Sequence, residues 1–107
     1  MQCKRGDIVL IKFPFTNLAK AKKRPVLVLQ NENEQHDFVC FQITSKRYQS
    51  HIAPIDQNDL SEGALKLVSY VKYNKCFTLN ANIIERKLAS VHMSFLENIK
   101  QLFCHEI

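Results

Sequence analysis

The sequence predicts a mainly β domain, a small barrel or sandwich carrying one C-terminal amphipathic helix. Two observations carry this expectation. Through most of the chain, short apolar, β-branched runs alternate with turn residues every ten or so positions. Near the end the period changes: Phe95, Leu96, Ile99, Leu102 and Phe103 fall at i, i+1, i+4, i+7 and i+8, the stripe of an amphipathic helix. A length of 107 residues, 46% of them apolar, suits one domain with a modest core. No repeat, low-complexity tract or Gly/Pro/Ser-rich linker divides residues 1–107.

The elements follow in order. Asp7 to Phe13, D-I-V-L-I-K-F, is a nearly continuous apolar run that suits a strand covered on both sides, and Pro14 ends it by removing a ladder donor. Residues 16–23 read as a polar basic loop, with a helical turn as the alternative for A-K-A-K-K. Pro25 to Gln30 is a second strand with proline at its opening, and Phe38 to Ile43 returns as a third after the polar turn at 31–37. Links this short imply an antiparallel meander. Thr44 to Ser50 is a second basic, hydroxyl-rich loop, and His51 to Ile55 a short edge strand. Asp56 to Gly63 reads as a solvated loop, and Leu65–Tyr73 and Cys76–Leu79 as two strands broken at Asn74. Ser94 and Glu97 have capping-box spacing at the start of the helix, with Ser90 as an alternative start.

Composition removes several classes. No run of about 18 apolar residues exists, so no membrane-spanning segment is expected. Asp7 and Lys12 interrupt the first apolar stretch, which reads as a strand rather than a signal peptide; the expected location is the cytoplasm. Cys3, Cys40, Cys76 and Cys104 are widely spaced, without CxxC or a histidine at ligand spacing, so no metal or other cofactor is expected. Reduced thiols fit best, with Cys40 and Cys76 packed as small hydrophobes. Asp56, Asp59 and Glu62 lack the dense oxygen pattern of a calcium loop.

Charge is informative through its placement. Residues 1–24 hold seven basic side chains against Asp7 alone, a balance of +6, whereas the other 83 residues hold eight basic and nine acidic groups. A cationic field concentrated on one segment attracts polyanions, chiefly RNA or DNA; the alternative is lysines that keep a small protein soluble. Three places combine polar groups with strand ends. Lys20, Lys22 and Lys23 lead into Arg24, whose guanidinium fork is held by a strand and the following proline, an arrangement that suits a phosphate or a phosphorane. Thr44 and Ser45 end the third strand beside Lys46 and Arg47, and their hydroxyls either donate to a phosphate oxygen or serve the turn. Ser69, Lys72 and Asn74 form the third group, with Tyr70, Lys72 and Asn74 on one face by period two. Tyr48, Tyr70 and Tyr73 either stack bases or fill the barrel wall.

The order of these segments, R-G-D-I-V-L-I-K-F-P-F-T, K-K-R-P-V-L-V-L, Q-I-T-S, S-Y-V-K-Y-N-K-C-F-T-L and a closing helix, resembles the PemK/MazF family of toxins from Arg5 to Phe103. The resemblance implies an SH3-like barrel of the CcdB/PemK kind, a homodimer whose shared groove takes single-stranded RNA, and a cognate antitoxin that occupies it. It implies a metal-free endoribonuclease in which the 2′-hydroxyl attacks the adjacent phosphate and leaves a 2′,3′-cyclic phosphate. By position it assigns Arg24 to transition-state charge, Thr44 to the scissile phosphate and Lys72 to a third catalytic place. Two residues depart from the pattern: Lys72 stands for an arginine and Asn74 for an aspartate of some members, which leaves the general base open. His51 has the right chemistry for one, but nothing in the sequence sets it beside Arg24. Ala89 stands where many members have glycine. A member that binds RNA or antitoxin without cutting is the alternative, and a gyrase poison on the same barrel a more distant one.

Overall fold

The computed structural model describes residues 3–13 and 22–107, with Phe13 described by its backbone. Seven strands form one antiparallel sheet: β1 Asp7–Phe13, β2 Lys22–Val28, β3 Asp37–Thr44, β4 Ile52–Ile55, β5 Leu60–Gly63, β6 Ser69–Asn80 and β7 Ile84–Val91. Helix α1, Met93–His105, follows, and 3₁₀ turns occupy Gln57–Asp59 and Ala81–Ile83. The strand order is β4-β6-β3-β2-β1-β7-β5, so the sheet curls into a half-barrel whose two edges are the four-residue strands β4 and β5. Edges this short, one of them carrying Pro54, offer little for another chain to extend.

Alternation along the central strands sends side chains to two cores. Ile8, Leu27, Phe41, Ile43 and Val71 meet Leu96 and Ile99 of α1 on one face, whereas Val9, Ile11, Val26, Val28, Phe38 and Cys40 gather with Cys3 on the other. This is why β1 and β2 read as continuous apolar runs: they are covered on both sides. Phe103 meets Phe41 edge-on at 5.4 Å, fixing the last turn of α1 to the sheet.

The Gly6-Asp7 corner locks the start of the chain to its later strands. Gly6 has a left-handed φ of 89°, and a Cβ there would stand 2.5 Å from Met93 Cε. Its amide donates to Val28 O at 2.9 Å, and its carbonyl accepts from Val91 N at 2.8 Å. Asp7 is buried; its carboxylate accepts from Lys4 N at 2.9 Å and from Ser90 Oγ at 3.0 Å. Lys87 Nζ lies 3.4 Å from the same carboxylate and 2.6 Å from Glu62 Oε1, tying β1, β5 and β7 together.

The mainly β sheet with its closing helix is as expected, and several local expectations are corrected. Lys22 and Lys23 belong to β2 rather than to a loop, paired with Phe13 and Lys12. The Asp56–Gly63 segment is a 3₁₀ turn and strand β5, not an irregular loop. The two strands divided at Asn74 are one, β6, starting at Ser69; its register against β3 shifts there, so that Phe41 faces Cys76 and Gln42 faces Lys72. Strand β7 has no counterpart in the sequence pattern, because Glu85-Arg86-Lys87 interrupts its apolar residues. Helix α1 begins from His92 without a side-chain cap, so neither Ser94 nor Ser90 serves as one. Cys3 and Cys40 are buried, Cys76 is half-buried and Cys104 exposed, all four as free thiols. Burial pushes the Cys3 thiol up to about 11, with Glu32 and Asp7 adding to the effect, and raises Cys40 and Cys76 in the same direction.

Candidate active site

The β2–β3 register pairs Val26 with Gln42, Leu27 with Phe41 and Val28 with Cys40. The ladder ends at the Val26–Gln42 pair: β2 continues outward as Pro25 and Arg24, and β3 as Ile43 and Thr44, the last facing Tyr70 on β6. At this end of the sheet a cleft of about 210 Å³ opens. Its polar rim comprises Lys23, Arg24, Thr44, Ser45 and Lys46; Pro25, Ile43, Leu67 and Ser69 complete the lining. Six residues singled out in the sequence, drawn from three separate segments, therefore share one concavity.

The individual groups differ in what they have free. Arg24 is exposed and has no ion-pair partner among the described residues. Lys23 is bound to Glu85 Oε2 at 2.9 Å, and Lys12 approaches Glu85 Oε1 at 3.8 Å. The hydrogen bond from Lys23 holds the Glu85 carboxyl below its ordinary range, so that carboxylate offsets Lys23 and leaves Arg24 and Lys46 as the uncompensated cations of the lining. Thr44 Oγ1 accepts from Lys46 N at 3.1 Å, which fixes the hydroxyl oxygen in the turn and leaves its proton to donate outward. An always-charged guanidinium fork and an oriented hydroxyl donor in one cleft are suited to a non-bridging phosphate oxygen.

The remaining residues singled out in the sequence stand elsewhere. Ser69 is buried, and its Oγ donates to Leu67 O at 2.9 Å, so its hydroxyl holds the turn before β6. Lys72 lies level with Gln42 on one side and Ile52 on the other, outside the cleft lining, and its Nζ donates to Ser50 O at 2.8 Å. Asn74 is exposed in the stretch of β6 that has slipped out of register with β3. Lys22 and Arg47 are exposed on the flanks, and Lys20 lies outside the described residues. Tyr48 is exposed and Tyr73 packs on the core against the His51 ring; no tyrosine lines the cleft. His51 Nε2 is 2.8 Å from Glu106 Oε1, which engages its ring with the end of α1. Leu67, 71% exposed and part of the cleft wall, falls within the strand expected over Leu65–Tyr73, but β6 starts only at Ser69 and leaves the residue in the turn before it. Among the described residues no group of three or more His, Cys, Asp or Glu side chains is placed to hold a metal ion.

The half-barrel with its closing helix is the fold of a family of toxins. The family model for the PemK-like, MazF-like toxins of type II toxin–antitoxin systems matches residues 4–106, and the chain belongs to that family. Among solved structures, MazF from Deinococcus radiodurans superposes with a TM-score of 0.72 at 16% identity, covering 98% of this chain and 96% of that one. MazF in the MazE–MazF complex from the same organism gives 0.77 at 17% identity, covering 96% and 93%. An endoribonuclease from a mycobacterial species gives 0.71 at 18% identity, covering 96% and 88%. These likenesses concern the fold. No curated protein sequence matches the chain. Among the described residues no helix is long and apolar enough to cross a membrane.

Proposed function

We propose that this chain is the toxin of a type II toxin–antitoxin pair and an endoribonuclease that cuts single-stranded RNA in the cytoplasm. The observation that carries the reading is the meeting of Arg24 and Thr44 in one cleft, the first with its charge unpaired among the described residues and the second with its proton to donate. In the proposed reaction the 2′-oxygen of the substrate attacks the adjacent phosphorus, the bond to the 5′-oxygen breaks, and the products are a 2′,3′-cyclic phosphate and a 5′-hydroxyl. The proton of the 2′-hydroxyl is lost and the departing oxygen gains one. Arg24 stabilises the charge that builds on the phosphorane, and Thr44 orients a non-bridging oxygen. No step calls for a metal ion, and the need for a 2′-hydroxyl confines cutting to RNA. Lys46, Lys23 and Ser45 contact the flanking phosphates, with Lys22, Arg47 and Lys20 extending that track. Lys72 and Asn74 stand outside the reacting set. A homodimer would join two such clefts into one groove, which the acidic tail of a cognate antitoxin would fill.

A second reading is favoured by the lining itself. Among the described residues it contains neither carboxylate nor imidazole to accept the 2′-proton. A member that binds RNA or antitoxin without cutting fits that observation. Incubating the purified protein with a long single-stranded RNA in EDTA, beside Arg24→Ala, separates the two. Discrete fragments ending in cyclic phosphate, slowed roughly a hundredfold or more in the variant, support the nuclease. Intact RNA that is nonetheless bound supports the second reading.

A further inference from the structure

We infer that the cleft holds one nucleobase next to the bound phosphate, that Leu67 is the side chain that selects it, and that Ser69 positions Leu67. The inference deepens the RNA reading and rests on it. The lining supplies two chemistries. Arg24, Thr44 and Lys46 offer charge and donors, while exposed Leu67 and half-buried Pro25 offer apolar surface to the same space; Ile43 is 3% exposed and belongs to the core. A phosphate needs only the first. At about 210 Å³ the space is smaller than sites for drug-sized ligands, which run from roughly 300 Å³ upward, and suits a single planar heterocycle.

Leu67 is 71% exposed beside Val68 at 72%, and of this apolar pair Leu67 is the one that lines the cleft, next to Arg24, Thr44 and Lys46. Its position is not left to the turn alone. Ser69 is 8% exposed at the first residue of β6, where Ile55 of β4 faces it, and its hydroxyl holds the Leu67 carbonyl at 2.9 Å. A buried hydroxyl spent on the backbone two residues earlier pins the turn that carries Leu67 over the cleft. Apolar contact with a base edge discriminates by shape and by the presence of a methyl or amino group, so the selected position is the nucleotide that sits against Leu67.

The test uses two pools of single-stranded oligonucleotides with a randomised core. One is RNA, read by sequencing the cleavage ends; the other is fully 2′-O-methylated, which cannot be cut, and is read by sequencing the protein-bound fraction. The wild type should prefer one base at one position, and Leu67→Ala should lower use of the best sequence about tenfold while flattening that position alone. Ser69→Ala should flatten the same position with only a small loss of thermal stability and the fold intact, and Ser69→Thr, which keeps the hydroxyl, should restore it. A cleaved pool with no preferred base, or a preference that survives Leu67→Ala, overturns the base site while leaving the nuclease standing. A preference confined to the bound, uncut pool and lost in Leu67→Ala keeps the base site and removes the nuclease. No selected position in either pool, with an acidic peptide displacing both, overturns it in favour of a protein ligand.

Discussion

Arg24 and Thr44, twenty positions apart in the chain, line one cleft where β2 and β3 run on past the last pair of their ladder, Val26 with Gln42. That shared cleft makes a geometric demand on residue 24 that charge alone does not meet. A lysine would keep the cation and lose the planar fork. Arg24→Lys should therefore retain most RNA binding while cutting at least about tenfold more slowly, with melting unchanged because the side chain is exposed. Single-turnover cleavage beside a binding isotherm checks it; equal losses in both would assign Arg24 to ground-state binding only.

The Thr44 hydroxyl is tied to Lys46 N, so its removal does two things: it withdraws a donor from the cleft and frees the turn that carries Lys46. Thr44→Val, close in volume, should slow cleavage by about tenfold or more, and Thr44→Ser should recover much of it. Combined with Arg24→Ala, the loss should fall well short of the product of the single effects, since the proposed reaction sets both groups on one phosphate. Full multiplicative losses in the double variant would mean that the two residues serve different steps.

Lys72 and Asn74 offer a sharper contrast with the sequence pattern. Lys72 spends its ammonium on Ser50 O and is absent from the cleft lining, and Asn74 is exposed where β6 slips past β3. Lys72→Ala should cost less than Arg24→Ala, under about tenfold in rate, with the larger effect on the 45–51 turn. Asn74→Asp should bring no gain in rate despite restoring a carboxylate. A large acceleration by Asn74→Asp at neutral pH would place that residue at the reacting 2′-hydroxyl.

Much of this is legible in the chain, for identifiable reasons. β1 and β2 are covered on both faces, so Ile8 to Ile11 and Val26 to Val28 are apolar without interruption, and α1 announces itself through Leu96 and Ile99 on one stripe. Arg24, Thr44, Ser45 and Lys46 are legible because strand ends bearing charge or hydroxyl are few in so short a chain. β7 is not, since its Glu85 and Lys87 answer to Lys23 and Glu62 from other strands rather than to any period. Ser69 reads in the sequence as a contact for RNA, whereas burial and a backbone acceptor make it a brace for the turn, and neither of these shows in a sequence.

The cysteines should separate cleanly by reactivity. Cys104 is exposed, whereas burial raises the Cys3 thiol to about 11 and pushes Cys40 up as well. With a disulfide reagent at pH 8, one thiol per chain should react at once and Cys76 slowly, while Cys3 and Cys40 wait for unfolding. Rapid titration of all four in the folded protein would contradict the two-sided core.

Acid should loosen the β5–β7 edge before neutral conditions do. The hydrogen bond from Lys87 holds the Glu62 carboxyl below its ordinary value of 4.5, and the contact raises Lys87 above 10.5. A carboxylate depressed in the folded state contributes stability that is full above the unfolded value and lost as pH falls through the lower folded one. A raised lysine contributes stability that is full below 10.5 and lost as pH climbs through its folded value. Between these limits the pair is intact, so the melting temperature should be flat near neutrality and fall below about pH 4.5, where Glu32 and Glu85, depressed by His36 and Lys23, lose their contributions too. Glu62 is well exposed, so its own share is small. Glu62→Gln should therefore lower melting only slightly at pH 7, reduce the acid slope, and converge with the wild type as pH falls through the lowered folded value of Glu62. Melting curves that stay parallel from pH 7 to pH 3 would show that the Glu62–Lys87 contact contributes nothing to the fold, leaving Ser90 and the Asp7 carboxylate to hold β7 against β1.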